Sequence, residues 1–272
     1  ENDYRAKISS AVSELAEGNI VKPKKKRTVL VFSRTMGYRH QSINTGKKSL
    51  AILGKQTGAF DVVISDDLKN FEKPQIDQFD AICFLNTTLE VFAGSGDKEL
   101  ILKQNLLDFV SSGKGFVGIH AASDTFYKWP EYGEMLGGYF DGHPWRHNTN
   151  VVIDVEQGTE NSPFNKGIEG GSMSFQEEIY QYKAPYDSKK VNMLTRLNLQ
   201  LSNMKVKGIK RKDNDFGVSW YKAYGEESKG RVFYCSLGHN DHIYWNPSVL
   251  SHYLAGFQYV LGDLELPAKE KE

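Results

Sequence analysis

The sequence predicts an α/β protein built on a doubly wound, mostly parallel sheet with helices on both faces. Three observations carry this. From Thr28 to about His120, strand-sized runs of β-branched and aromatic residues alternate with segments of helical periodicity; this is the pattern of βαβ units, because parallel neighbours need a crossover. Runs such as TVLVFS leave no alternate place for a solvent-facing polar residue, which suits strands covered on both sides. Beyond Asp141, strand-like runs follow one another with few helical patterns between them, which predicts antiparallel additions at one edge of the sheet or a β-rich excursion.

In chain order, residues 4–17 carry Ile8, Val12 and Leu15 at helical spacing before Gly18, a short helix or half-ordered arm. The basic run 22–27, interrupted by Pro23, reads as a solvated linker rather than a nucleic-acid patch. Residues 28–33 form the first strand. Residues 43–57 form a helix with Leu50 and Leu53 on one side and Gly58 as its stop. Strands follow at 60–65 and 79–86, a helix at 100–109 ended by Ser111-Ser112-Gly113, and a fourth strand at 115–120. Later strands are expected at 150–155, 216–224 and 230–236, an extended aromatic segment at 175–182, and a closing helix at 248–261. The expected organisation is an arm at 1–26, one domain at 27–265 and a charged tail at 266–272.

The chain has 272 residues with 34 Lys and Arg against 34 Asp and Glu, a formal net charge of zero. A partner held by phosphate neutralisation needs a basic surplus or a basic face, so nucleic acid is not expected. No apolar run approaches the roughly 20 residues of a membrane span. Hydrophobic residues at 39% with 12% aromatics suffice for one core. The two cysteines, Cys83 and Cys235, lie in apolar strand runs and are expected as buried free thiols. A chain that begins at Glu1 with a polar arm is compatible with export to the periplasm or beyond after removal of a signal, and does not exclude the cytoplasm.

In an open parallel sheet, ligands bind beyond the carboxyl ends of the strands. Three such ends deliver histidine here: the first strand runs into Arg39-His40, the fourth into His120, and the strand at 230–236 into Gly238-His239. A lone histidine is more often structural, but three at one rim point to function. The run Gly118-Ile119-His120-Ala121-Ala122 has the small flanking residues of a strand-to-helix elbow, which lets the chain turn sharply and present its middle side chain to a cleft. Imidazole at that place suits a general base or a metal ligand. Trp129, Tyr132, Tyr180 and Trp245 would suit stacking on sugar rings while carboxylates and histidines bind the hydroxyls, and Arg39 and Asn240 are expected among the substrate-binding residues. His143 and His147 lie four apart, but Pro144 between them argues for a loop rather than a zinc-binding helix face. Glu177 and Glu178 point to opposite sides of an extended segment, so at most one faces the site.

The segments 31–43, 113–144, 177–180 and 230–241 together resemble the ThuA-like family, named for trehalose utilisation, and the likeness spans about residues 27–262. That resemblance implies a class I glutamine amidotransferase-like fold with a flavodoxin-like sheet. Amidotransferases of that fold carry cysteine at the elbow; His120 stands there instead, so glutaminase chemistry through a thiolate is not expected. The family commonly has Asp-Glu before its tyrosine, where this chain has Glu177-Glu178, and Glu178 is the matched residue. No G-x-G-x-x-G follows a strand, so no nicotinamide is expected.

Three functions remain open on these residues. In the first, His40, His120, His143, Glu178 and His239 line a cleft that processes a trehalose-type disaccharide or its 3-keto derivative by acid–base chemistry. In the second, the same groups bind a divalent metal such as zinc in a hydrolase. In the third, the protein binds or senses a sugar without turning it over. All three take a small-molecule sugar as partner, and the sequence neither requires nor excludes a homo-oligomer.

Overall fold

In a computed structural model describing residues 3–15 and 17–266, the first half of the chain runs α1 (Arg5–Ser13), β1 (Thr28–Phe32), α2 (Ile43–Thr57), β2 (Asp61–Ile64), β3 (Ala81–Leu85), α3 (Glu99–Ser111), β4 (Gly115–Ile119), α4 (Pro130–Leu136) and β5 (Tyr139–Phe140). The second half adds β6 (Asn150–Val155), β7 (Ser172–Gln176), β8 (Tyr182–Lys183), β9 (Asn192–Leu197), β10 (Gly217–Tyr224), β11 (Gly230–Cys235) and α5 (Pro247–Val260). One nine-stranded sheet has the order β2-β1-β3-β4-β11-β10-β9-β6-β7. The strands from β2 through β11 pair in parallel, and β10, β9, β6 and β7 extend that sheet antiparallel from β11. The doubly wound α/β architecture with antiparallel additions is therefore the one the sequence predicts.

Strand periodicity divides the core into two layers. Val29, Val31, Cys83, Val117 and Phe233 pack with Leu50 and Leu53 of α2 and Leu250 and Leu254 of α5. Leu30, Phe32, Phe84, Phe116 and Tyr234 face the other way, against Leu102 and Leu106 of α3 and Tyr132 and Met135 of α4. Each fully buried large apolar side chain contributes about 1.5–3 kcal/mol, so covering both faces explains why these strands read as continuous apolar runs. Helix α2 stops at Gly58, whose φ of 67° is the left-handed conformation that terminates helices. Helix α5 starts on Pro247, with the Asn246 side chain accepting from Val249 N at 3.1 Å. Cys83 and Cys235 are buried and free.

The N-terminal segment packs on the domain: Ile8, Ala11 and Val12 of α1 are buried in the layer shared with α2 and α5. The basic run is matched by acids, Lys25 to Asp80 at 2.7 Å, Lys26 to Asp61 at 3.3 Å and Arg27 to Asp263 at 2.5 Å. The tail from Pro267 lies outside the described residues. Among the described residues no helix is long and apolar enough to cross a membrane.

Several elements differ from the sequence reading. The extended segment at 175–182 is two strands separated by a crossing: β7 ends at Gln176, Glu177 to Gln181 pass over the sheet rim, and β8 pairs with β5 in a separate two-stranded sheet. Strand β9 has no clear sequence signal because Asn192, Thr195 and Arg196 interrupt its apolar residues, and Arg196 is matched by Glu156 and Asp215 from distant segments.

Candidate metal centre

Four segments meet at the carboxyl ends of the parallel strands: the loop after β1 brings His40, the end of β4 brings His120, the loop after β11 brings His239, and the crossing between β7 and β8 brings Glu178. His120 sits at the elbow with a φ of 51°, a left-handed conformation unusual for a residue with a side chain and characteristic of strained functional turns. The elbow is braced from below: Tyr234 donates to His120 O at 2.8 Å, and Tyr132 donates to Ala122 O at 2.7 Å. His120 Nδ1 lies 2.6 Å from Ser236 O and donates to it, which fixes the tautomer and makes Nε2 the acceptor nitrogen of the ring.

The loop carrying His239 is held from both sides. Glu177, fully buried, accepts from the backbone N–H groups of Gly238, His239 and Asn240. On the other side, Gly238 O accepts from Ser42 at 2.8 Å, Asn86 at 3.1 Å and Tyr244 at 3.1 Å. Gly238 has a φ of 136°, and a Cβ there would lie 2.7 Å from the Tyr244 hydroxyl, so this turn requires glycine. Burial pushes the Glu177 carboxyl up to about 8, while the three N–H donors work in the opposite direction.

Within this frame, the Nε2 atoms of His40 and His120 face each other at 3.2 Å. Glu178 Oε2 lies 3.7 Å from His120 Nε2 and 3.0 Å from His239 Nδ1, and Oε1 lies 3.5 Å from His143 Nδ1. One donor atom from each of His40, His120, Glu178 and His239 lies within 4.8 Å of all the others. Burial, reinforced by the neighbouring imidazoles, pushes His40 down to about 4 and holds His120 well below the ordinary histidine value. Both rings are therefore neutral near pH 7. Burial disfavours the Glu178 carboxylate, but His239, His143 and His40 outweigh it and hold the group below its usual range, ionised. Imidazoles gathered around an ionised carboxylate form a donor set for a divalent cation, with the acceptor Nε2 of His120 and the facing Nε2 of His40 3.2 Å apart. His40 Nδ1 is buried without a hydrogen-bond partner. The residues thus fit a metal ion.

The sequence pattern of the family described as ThuA, trehalose utilisation, matches residues 28–260. The chain belongs to the ThuA family. It is similar to a ThuA-like protein from Bacteroides uniformis, at 20% identity with a TM-score of 0.65, covering 88% of this chain and 92% of that one. A ThuA-like protein from Parabacteroides merdae gives 17% identity and a TM-score of 0.61, covering 87% of this chain and 90% of that one. A β-galactosidase from Bacillus circulans sp. alkalophilus gives 11% identity and a TM-score of 0.51 over 87% of this chain and 31% of that one, a likeness of fold alone. No curated protein matches the chain.

The ThuA residues expected at the site divide into two groups. His40, His143, Glu178, Tyr180, His239 and Asn240 line a cavity of about 620 Å³ above the sheet rim, with His120 buried at its floor. Tyr180 donates its hydroxyl to His120 Nε2 at 2.7 Å, and Asn240 braces the wall by donating to His147 O and Gln176 O. The other expected sugar-binding residues lie elsewhere. Tyr132 and Trp129 are buried beneath the elbow, stacked on each other at 5.9 Å. Trp245 packs on Tyr4 at 4.3 Å beside α1, and Arg39 is exposed outside the cavity. Tyr38, Asp124, Phe140 and His147 also line the cavity, although the sequence reading did not assign them to the site. Asp124 lies two residues beyond the elbow, and burial raises its carboxyl against a hydrogen bond from Tyr127.

Proposed function

We propose that the protein is a divalent-metal-dependent enzyme acting on a trehalose-type disaccharide at the stage of its 3-keto derivative. The observation that carries this reading is the convergence of His40, His120, His239 and Glu178 at the floor of a cavity of about 620 Å³. These four residues would hold the ion, and zinc suits a set of three imidazoles and one carboxylate. When bound, the ion supplies Lewis-acid polarisation of a sugar oxygen.

Proton transfers fall to side chains of the cavity wall. A ketone at C3 acidifies the C2–H bond. Loss of that proton forms the C1–C2 double bond as the C1–O bond breaks, and the departing sugar oxygen takes a proton. His143, 41% exposed and with Nδ1 3.5 Å from Glu178, would accept the proton from C2. Asp124, which burial shifts toward its protonated form, is placed on the same cavity to supply the proton to the leaving oxygen. The imidazole of His143 and the carboxyl of Asp124 would divide the base and acid tasks.

The test is turnover of 3-keto-trehalose beside unmodified trehalose. The reading expects turnover of the keto sugar that chelation abolishes and zinc restores, with His143→Ala lowering kcat by roughly 10²–10⁴. Turnover that persists after complete chelation would overturn the metal dependence. Sugar binding with no product would make the protein a binding module.

A further inference from the structure

Stacking on a sugar ring needs an aromatic face open to the ligand, and the aromatics along the cavity differ in this. Tyr180 is buried and bonded to His120, Phe140 is half-buried against His143 and Tyr180, and Tyr38 is 61% exposed. Tyr38 lies over the metal-binding floor, with its ring nearly parallel to that of His239 at 15° and edge-on to His40 at 4.8 Å. The His147 ring is likewise nearly parallel to that of His239, at 5.5 Å and 17°.

The Tyr38 side chain is exposed, but its backbone is fixed. Met36 N donates to Thr88 O at 3.0 Å, Gly37 N to Thr88 Oγ1 at 3.1 Å, and Thr88 Oγ1 to Tyr38 O at 3.1 Å. Gly37 allows the turn to pass close to Leu89, since a Cβ there would lie 2.8 Å from Leu89 Cδ1. A large apolar ring held in the open on a rigid turn loses little conformational entropy when a ligand covers it. One face of a pyranose is a patch of polarised C–H bonds, which the negative face of an aromatic ring attracts, while its hydroxyls point outward to polar walls. Tyr38 supplies such a face, and His143, Glu178 and Asp241 supply polar walls.

We propose that Tyr38 is the stacking platform for the second ring of a two-ring pyranoside and sets the preference of this site for disaccharides over single sugars. This rests on the carbohydrate reading above and adds to it which part of the substrate the cavity mouth recognises. The first ring occupies the floor near Glu178, and the ring that will depart lies against Tyr38.

Binding to the full-length, zinc-loaded protein tests this without any need for turnover. Calorimetry would compare trehalose with methyl α-glucoside in the wild type, Tyr38→Ala and Tyr38→Phe. The expected result is a preference for trehalose that falls about tenfold in Tyr38→Ala, the equivalent of about 1.4 kcal/mol, and persists in Tyr38→Phe. A preference unchanged in Tyr38→Ala would overturn the platform while leaving the carbohydrate reading intact, as would Tyr38→Phe behaving like Tyr38→Ala. A wild type that binds neither sugar would also overturn the platform, whereas the keto-sugar reading stands or falls with the turnover test above.

Discussion

Glu177 accepts the backbone N–H of His239 while its neighbour Glu178 places Oε2 3.0 Å from the imidazole Nδ1 of the same residue. Adjacent residues on an extended segment point to opposite sides, so one carboxylate grips the loop and the other meets the ring that the loop presents. Glu177→Gln tests this division. The amide keeps one acceptor oxygen but turns an N–H₂ toward a loop offering three N–H donors. The variant should fold, lose about 1–3 kcal/mol of stability in urea unfolding, and bind zinc more weakly because His239 is no longer held. Unchanged zinc affinity would show that the loop keeps its position without Glu177.

Away from the site, His252 makes acid stability measurable. Its ring is buried, with Nδ1 3.0 Å from Phe164 O and Nε2 2.8 Å from Ser219 Oγ, and burial pushes its pKa from 6.5 down to about 4. The unfolded chain takes up a proton below pH 6.5 that the folded chain refuses until about pH 4. The stability this group contributes is therefore complete above pH 6.5 and is lost as pH falls through 6.5 toward 4. His252→Asn should be less stable than the wild type at pH 7, with that gap narrowing by about 2 kcal/mol at pH 5. Urea unfolding at the two pH values checks it, and parallel pH dependences would contradict it.

Trp245 distinguishes a structural aromatic from a binding one. It lies 4.3 Å from the Tyr4 ring, and Lys7 Nζ sits 5.1 Å from its centroid, so it fastens α1 to the domain. Trp245→Ala should cost about 3 kcal/mol or less in unfolding, given its partial exposure, and leave trehalose binding within twofold of the wild type. A large loss of sugar affinity at unchanged stability would return Trp245 to the site.

The sheet and the four donor residues were legible in the sequence, the strands and the three histidines from local signals and Glu178 from the family resemblance. Uninterrupted apolar runs mark strands covered on both faces, and a histidine directly after such a run lies at the rim where ligands bind. The small residues around His120 marked the elbow for the same local reason. Period-two alternation separated Glu177 from Glu178, but it could not show that Glu177 binds the backbone of residues 238–240. The aromatic residues were harder to place, because a tyrosine bracing a buried carbonyl, as Tyr132 does for Ala122, has the same composition as one stacking on a sugar. Tyr38, Phe140 and His147 join the cavity only when loops distant in sequence converge, and no local spacing encodes that.

The central claim is that His40, His120, Glu178 and His239 hold one divalent ion. The most direct measurement is the metal content of the purified protein after exposure to zinc and removal of excess, alongside Glu178→Gln and His120→Ala. The account predicts one zinc per wild-type chain and far less than one in either variant, with folded cores by circular dichroism. A wild type that retains no zinc, or variants that retain as much as the wild type, would contradict it.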